Sequence, residues 1–206
     1  VSVQATPTAT QSPTPTATPT PRPTPTPPVF ATMLSIGDSL AGGYFASTWA
    51  HAYAALVAAR LPSRLLTTPV YYGHSAVDAL AAMRAYPPPP ADLAIIELGT
   101  NDQEDLGTFA QDFADVLALL KHANPHIRLI CLGPWQPSSD AAYAGVVEQQ
   151  CARAGGTFLD LFPLFAVQSY HGPAGRPTFL GPGDWFHPND AGHEAIAQVI
   201  LRVLRP

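Results

Sequence analysis

Lysine is almost missing from this chain. Only Lys121 is a lysine among 206 residues, nine arginines are scattered, and no basic cluster forms anywhere. With a formal net charge of −5, the chain lacks the electrostatic footprint that a nucleic-acid partner requires. Long apolar runs are missing too, and none approaches the roughly 18 to 20 residues of a membrane span. Cysteine is limited to Cys131 and Cys151, whose spacing matches no metal-binding motif. An even pair suits an oxidising compartment. One falls at the end of a predicted strand and the other late in the next predicted helix, so the sequence leaves their pairing open.

What is present suffices for one domain with a sizeable core, since 47% of the residues are hydrophobic. The 24 prolines are unevenly placed, and nine of them lie between residues 5 and 28, in "ATPTATQSPTPTATPTPRPTPTPP". That segment offers almost nothing to bury and few backbone donors, which predicts an extended, unpaired chain. Residues 1–28 therefore read as a disordered linker or stalk of the kind that carries O-glycans, and residues 29–206 as the folded domain. The first residue is Val1 and no signal peptide is present. The expectation is a mature or truncated form of an exported protein, extracellular or at the cell surface.

From Ala31 onward, short apolar runs alternate with helical patterns. The predicted strands are "TMLSI" (32–36), "LLTTPVYY" (65–72), "LAIIEL" (93–98), "IRLICL" (127–132) and "TFLDL" (157–161). Ala-rich stretches with apolar residues at helical spacing separate them, and "PNDAGHEAIAQVILRVL" closes the chain. Strands apolar throughout, each followed by a helix, predict an α/β domain with a parallel sheet covered on both faces. In such a sheet, ligands bind beyond the carboxyl ends of the strands. Functional residues should therefore follow strands.

Ser39 does, about three residues past the first strand in "LSIGDSLAGGY". A serine hydroxyl is a weak nucleophile unless a base, an orienting group and oxyanion donors surround it. Asn101 stands at the matching place after the third strand, in "ELGTND", where an amide can donate to an oxyanion or simply make a turn. "GDWFHPND" places Asp184 three residues before His187, with Pro188 suited to the first turn of a helix. A tight turn there can bring the carboxylate onto the imidazole Nδ1 and leave Nε2 free to take a proton; the other reading is a capping Asp beside a surface histidine. After the second strand, Gly73, Ser75 and Ala76 open a helix whose first N–H groups are ready anion donors.

"GDSL" (37–40), "GTND" (99–102) and "DWFHP" (184–188), in this order, resemble the GDSL, or SGNH, hydrolase family, from about residue 31 to the end. The resemblance implies a three-layer α/β/α flavodoxin-like domain whose five-stranded parallel sheet has the order 2-1-3-4-5. It implies Ser39 as nucleophile, His187 as general base and acid, and Asp184 as its orienting partner. The oxyanion hole would be the Ser39 and Ala76 backbone N–H groups and the Asn101 side chain. The second motif departs from the family, reading Ser75-Ala76 where Ser-Gly is usual, with Gly73 as the fallback donor and Tyr71 where the motif often opens with Asn. The implied activity is a serine esterase needing no metal or organic cofactor. Its expected substrate is a short-acyl ester, acetyl to butyryl, or an acylated carbohydrate, on a monomer tethered by its stalk to a surface or another module.

Rival readings fit less well. An α/β-hydrolase would carry G-x-S-x-G on a mid-sequence elbow. A metal site on Asp184, His187 and His193 would place the two histidines on different faces of a helix. Lysophospholipase or lipase-like activity and an inactive carbohydrate- or surface-binding module remain alternatives. His193 is expected on the flank of the last helix, His51, His122 and His126 in solvent, and His74 near the oxyanion corner. Tyr170, Phe179 and Trp185, in the long Gly/Pro-rich approach to Asp184, and Trp135 after the fourth strand have two readings, substrate platform or loop packing.

Overall fold

A computed structural model describes residues 2, 29–61, 63–66, 75–136 and 141–204. The Thr/Pro stalk, Gly73, Tyr71, His74 and residues 67–72 of the second predicted strand lie outside the described residues. The main sheet consists of β1 (Thr32–Gly37), β2 (Arg64–Leu66), β3 (Leu93–Glu97), β4 (Arg128–Leu132) and β5 (Thr157–Leu159). They run parallel in the order β2-β1-β3-β4-β5. This is the expected order 2-1-3-4-5.

Period-two alternation explains why the strands are apolar throughout. Leu34, Ile36, Ala94, Ile96, Leu129 and Cys131 face one side, against α2 (Ala76–Ala85), α3 (Leu106–Ala123) and α4 (Ala141–Arg153). Met33, Leu93, Ile95, Ile130 and Leu132 face the other, against α1 (Tyr53–Arg60) and α6 (Asp190–Leu204). Both faces are buried, which is why these positions carry apolar side chains. The remaining elements are the short α5 (Phe162–Phe165) and a hairpin of β6 (Pro177–Thr178) and β7 (Gly181–Pro182).

Two helices begin at side-chain caps. Asp105 accepts the N–H groups of Gly107 and Thr108 at the start of α3, and Ser75 accepts that of Asp78 at the start of α2. Cys131 and Cys151 form a disulfide joining β4 to α4, with Cα atoms 6.1 Å apart. It settles the pairing that the sequence left open. Closing a loop of about 20 residues is worth about 3 kcal/mol in the chain-entropy account.

One glycine positions the site. Gly37 pairs with Glu97 across β1 and β3, and a β-carbon at Gly37 would overlap the Glu97 carbonyl. The close approach lets the Asp38 N–H donate to the Glu97 carbonyl oxygen at 3.3 Å. The ends of the two central strands, with the residues that follow them, are thereby held side by side.

Candidate active site

Past Gly37 the backbone closes a turn. The Gly42 N–H donates to the Asp38 carbonyl and the Tyr44 N–H to that of Ser39. Among the described residues the Ser39 N–H has no hydrogen-bond partner, while that of Leu40 is taken by Asp38 Oδ1 at 3.0 Å. Ser39 Oγ lies 2.9 Å from His187 Nε2. His187 Nδ1 lies 2.8 Å from Asp184 Oδ2. The other Asp184 oxygen accepts the N–H groups of Phe186 and His187 at 2.9 and 2.8 Å. A four-residue turn thus fixes both the carboxylate and the imidazole it faces.

Burial raises the Asp184 carboxyl, but the His187 backbone and imidazole hydrogen bonds outweigh it and hold the group below its ordinary value. It is therefore a carboxylate at neutral pH. With Nδ1 donating to it, Nε2 presents a lone pair to Ser39 Oγ. The His187 ring is also held from the side. Phe45 packs on it with centroids 4.5 Å apart, at φ 61°, a left-handed conformation costing a bulky residue roughly 1–3 kcal/mol.

Below the serine lies a buried acid pair. Asp38 is 2% exposed and Glu97 0%. Asp38 Oδ2 accepts the Asn101 amide at 3.1 Å. Glu97 Oε1 accepts the Thr100 hydroxyl at 2.9 Å, and no N–H or hydroxyl donor reaches Oε2. Burial, then repulsion from Asp38, pushes the Glu97 carboxyl well above its ordinary range. Burial raises Asp38 too, against the hydrogen bond it receives from Glu97. Glu97 keeps the proton and donates it to Asp38, which accounts for the otherwise unpartnered oxygen.

The expected second oxyanion donor requires a correction. The Ala76 N–H donates to Asp102 Oδ1 at 2.6 Å, and Asp102 Oδ2 accepts the Gly99 N–H at 2.8 Å. The helix start of α2 binds an anion, but that anion is the carboxylate of Asp102. Burial, partly offset by the Ala76 and Gly99 N–H groups, raises Asp102 to about 6. The Ser39 N–H and the Asn101 amide remain as donors at the strand ends.

A sequence profile of the GDSL-like lipase/acylhydrolase family matches residues 35–195, a span holding every residue of this arrangement. The chain belongs to that family. A GDSL lipase of Mycobacterium tuberculosis is 32% identical over 125 residues, covering 56% of this chain and 51% of that protein. The chain thus spans about half the length of the curated relative it matches. The fold is shared with a family 2 carbohydrate esterase carrying a carbohydrate-binding domain, from Corynascus thermopiles (Myceliophthora fergusii). That likeness has a TM-score of 0.66 and 17% identity, and covers 88% of this chain and 67% of that one. It is shared equally with phospholipase A1 from Streptomyces albidoflavus NA297, at TM-score 0.66 and 16% identity, covering 84% and 99%.

In this GDSL-family chain, several aromatic and histidine residues sit differently from expectation. His193 is fully buried rather than on a flank. Its Nδ1 accepts the Tyr53 N–H at 3.3 Å and its Nε2 donates to the Tyr44 carbonyl at 2.9 Å. Both nitrogens serve backbone groups, so the ring holds the Tyr44–Phe45 turn against His187. Trp135 is also fully buried, which settles its two readings in favour of packing. Tyr170 packs on the core, whereas Phe179 and Trp185 are exposed. The Trp185 ring lies over Gly172, at φ 52°, where any β-carbon would collide with it.

The buried His193 predicts a pH effect. Burial, opposed by the Tyr44 hydrogen bond, lowers it to about 4 from an ordinary 6.5. A base with a depressed folded value contributes stability that is complete above pH 6.5 and is lost as pH falls through 4. The loss amounts to about 3 kcal/mol. Other buried acids titrate in the same window, so the readout is a comparison with His193→Gln, which keeps one donor and one acceptor. As pH falls from 7 to 4, urea melts of the wild type are expected to lose about 3 kcal/mol relative to this variant. Parallel pH curves would contradict the assignment.

Proposed function

We propose that the chain is a serine esterase hydrolysing short-acyl carboxylic esters, acetyl to butyryl, through an acyl-enzyme on Ser39. The observation that carries the reading is the continuous line from Ser39 Oγ through His187 to Asp184, with contacts of 2.9 and 2.8 Å. His187 Nε2 takes the hydroxyl proton as Oγ attacks the ester carbonyl. The Ser39 N–H and Asn101 amide receive the oxyanion. As it collapses, the imidazolium returns the proton to the leaving alcohol. Water then repeats the sequence on the acyl-enzyme.

Phe45, Gly172, Pro173, Asp184 and His187 line a small cleft beside the base, which supports a small acyl group. Trp185, 60% exposed and next to Asp184, is a flat exposed ring near the base of the kind that stacks on a sugar, which supports an acetylated sugar. An esterase active on acetylated mannans shares the fold at TM-score 0.60, and this supports carbohydrate deacetylation.

A series of p-nitrophenyl esters beside acetylated xylan and a phospholipid tests the substrate. The kcat/KM is expected to peak between C2 and C4, with acetate released from the polysaccharide. A peak at C8 or longer would reject the short-acyl reading in favour of lipase-like activity. No turnover of any ester would leave a binding module. The Thr/Pro composition supports an exported domain carried on a stalk. Deleting residues 1–28 is accordingly expected to leave Tm and turnover unchanged, and a drop of more than a few degrees would refute the stalk.

A further inference from the structure

Two side chains from elsewhere in the fold converge on the peptide that precedes His187. The Phe186 carbonyl oxygen accepts the Trp135 indole N–H at 2.8 Å, and His171 Nδ1 lies 2.7 Å from the same oxygen. Trp135 is fully buried and His171 is 7% exposed. Neither residue touches Ser39, and the triad chemistry makes no use of them. We propose that His171 and Trp135 are positioning residues that hold His187 in line with Ser39 by donating jointly to the Phe186 carbonyl.

The oxygen they grip belongs to the peptide plane whose N–H is that of His187. That N–H donates to Asp184 Oδ1 at 2.8 Å. The plane is therefore held at both ends, by two donors on its oxygen and a carboxylate on its nitrogen. Its rotation would swing the imidazole away from Oγ, and a misplacement of about 1 Å can cost on the order of 10²-fold in rate. The Asp184 turn alone leaves the carbonyl end free.

Each donor is itself anchored. The Trp135 N–H donates to the Thr100 hydroxyl oxygen at 3.0 Å, and that hydroxyl donates to Glu97. The base is thereby tied to the loop carrying Asn101. His171 Nε2 lies 2.7 Å from the Phe165 carbonyl at the end of α5. Carbonyl oxygens only accept, so a His171 nitrogen that carries a proton donates to the carbonyl it faces. The Trp135 and Phe165 rings pack beside the imidazole, with centroids 5.2 and 4.9 Å away. Asn189 adds a third tie, donating to the His171 carbonyl at 2.8 Å.

The inference rests on the esterase reading, and the experiment separates the two. Trp135→Phe removes one donor while keeping the ring, and His171→Gln alters the other. Each is expected to lower kcat about tenfold at nearly constant KM, because substrate binding does not depend on the Phe186 peptide. The double variant is expected to lose more than the product of the singles, since each donor covers for the other. A role in stability alone would lower Tm and leave kcat per folded molecule unchanged, and that result would overturn the proposal. Nitrogen-15 NMR gives a second readout that needs no substrate. His171 Nδ1 is expected to carry a proton, and the His187 Nδ1–H resonance is expected to broaden in Trp135→Phe through faster exchange. A bare Nδ1 on His171 would overturn the proposal even if His171→Gln failed to fold. A wild-type protein inactive on every ester would refute the esterase reading and leave the NMR test standing.

Discussion

Ser39→Ala is expected to lower kcat by about 10⁴ to 10⁶, the range seen when a member of a catalytic triad is removed. The size follows from the site's dependence on covalent chemistry. Without Oγ, His187 has no proton to take from the enzyme, and the remaining donors can only assist attack by water. Folding should be untouched. Ser39 Oγ touches His187 at 2.9 Å and Asp38 only at 3.5 Å, and the turn around it is closed by backbone hydrogen bonds. Tm is therefore expected to stay within a few degrees while burst-phase acylation with p-nitrophenyl acetate disappears. Turnover retained in this variant would remove Ser39 from the mechanism, and with it the proposed acyl-enzyme.

The residues of that site differ in how local their signals are. Asp184 and His187 are legible because one turn contains both, and the three-residue spacing lets the carboxylate reach the imidazole, as it does at 2.8 Å. Ser39 and Asn101 are legible through the sheet. Apolar strands covered on both faces must be central and parallel, and whatever follows β1 and β3 must then meet at their carboxyl ends. Ala76 was misread because its N–H is governed by Asp102, 26 residues away. A helix start attracts an anion, and no local pattern says whether the anion is a substrate or the protein's own carboxylate.

His193 carried a signal that spacing alone would have revealed. Residues 193, 196, 197, 200, 201 and 204 form the buried stripe of α6, so the ring belongs on the core face. Its satisfaction there depends on Tyr44 and Tyr53, which only the folded chain brings near. His171 and Trp135 show the same limit more strongly. Their common acceptor is a backbone oxygen, which leaves no mark in the sequence.

The second large effect is expected at the oxyanion. Asn101→Ala should lower kcat by about 10² to 10³, the usual cost of one lost donor, with KM nearly unchanged because the charge appears only in the transition state. The amide is aimed from below, since one of its hydrogens is held by Asp38 at 3.1 Å and the other is left for substrate. Asp38→Asn tests this aim. Its carbonyl oxygen must face the Leu40 N–H, so its NH₂ would face the Asn101 amide and the Glu97 proton, donor against donor. Asn101 would turn away, and Asp38→Asn is expected to reproduce most of the Asn101→Ala loss. Glu97→Gln should behave oppositely, because its amide can still donate to Asp38 while its oxygen accepts from Thr100. A few-fold change at most is expected there, measured as kcat on p-nitrophenyl acetate. Wild-type turnover in Asp38→Asn would show that the acid pair does not aim the amide. A loss in Glu97→Gln as large as in Asn101→Ala would show that Asp38 needs the Glu97 carboxyl itself rather than any buried donor.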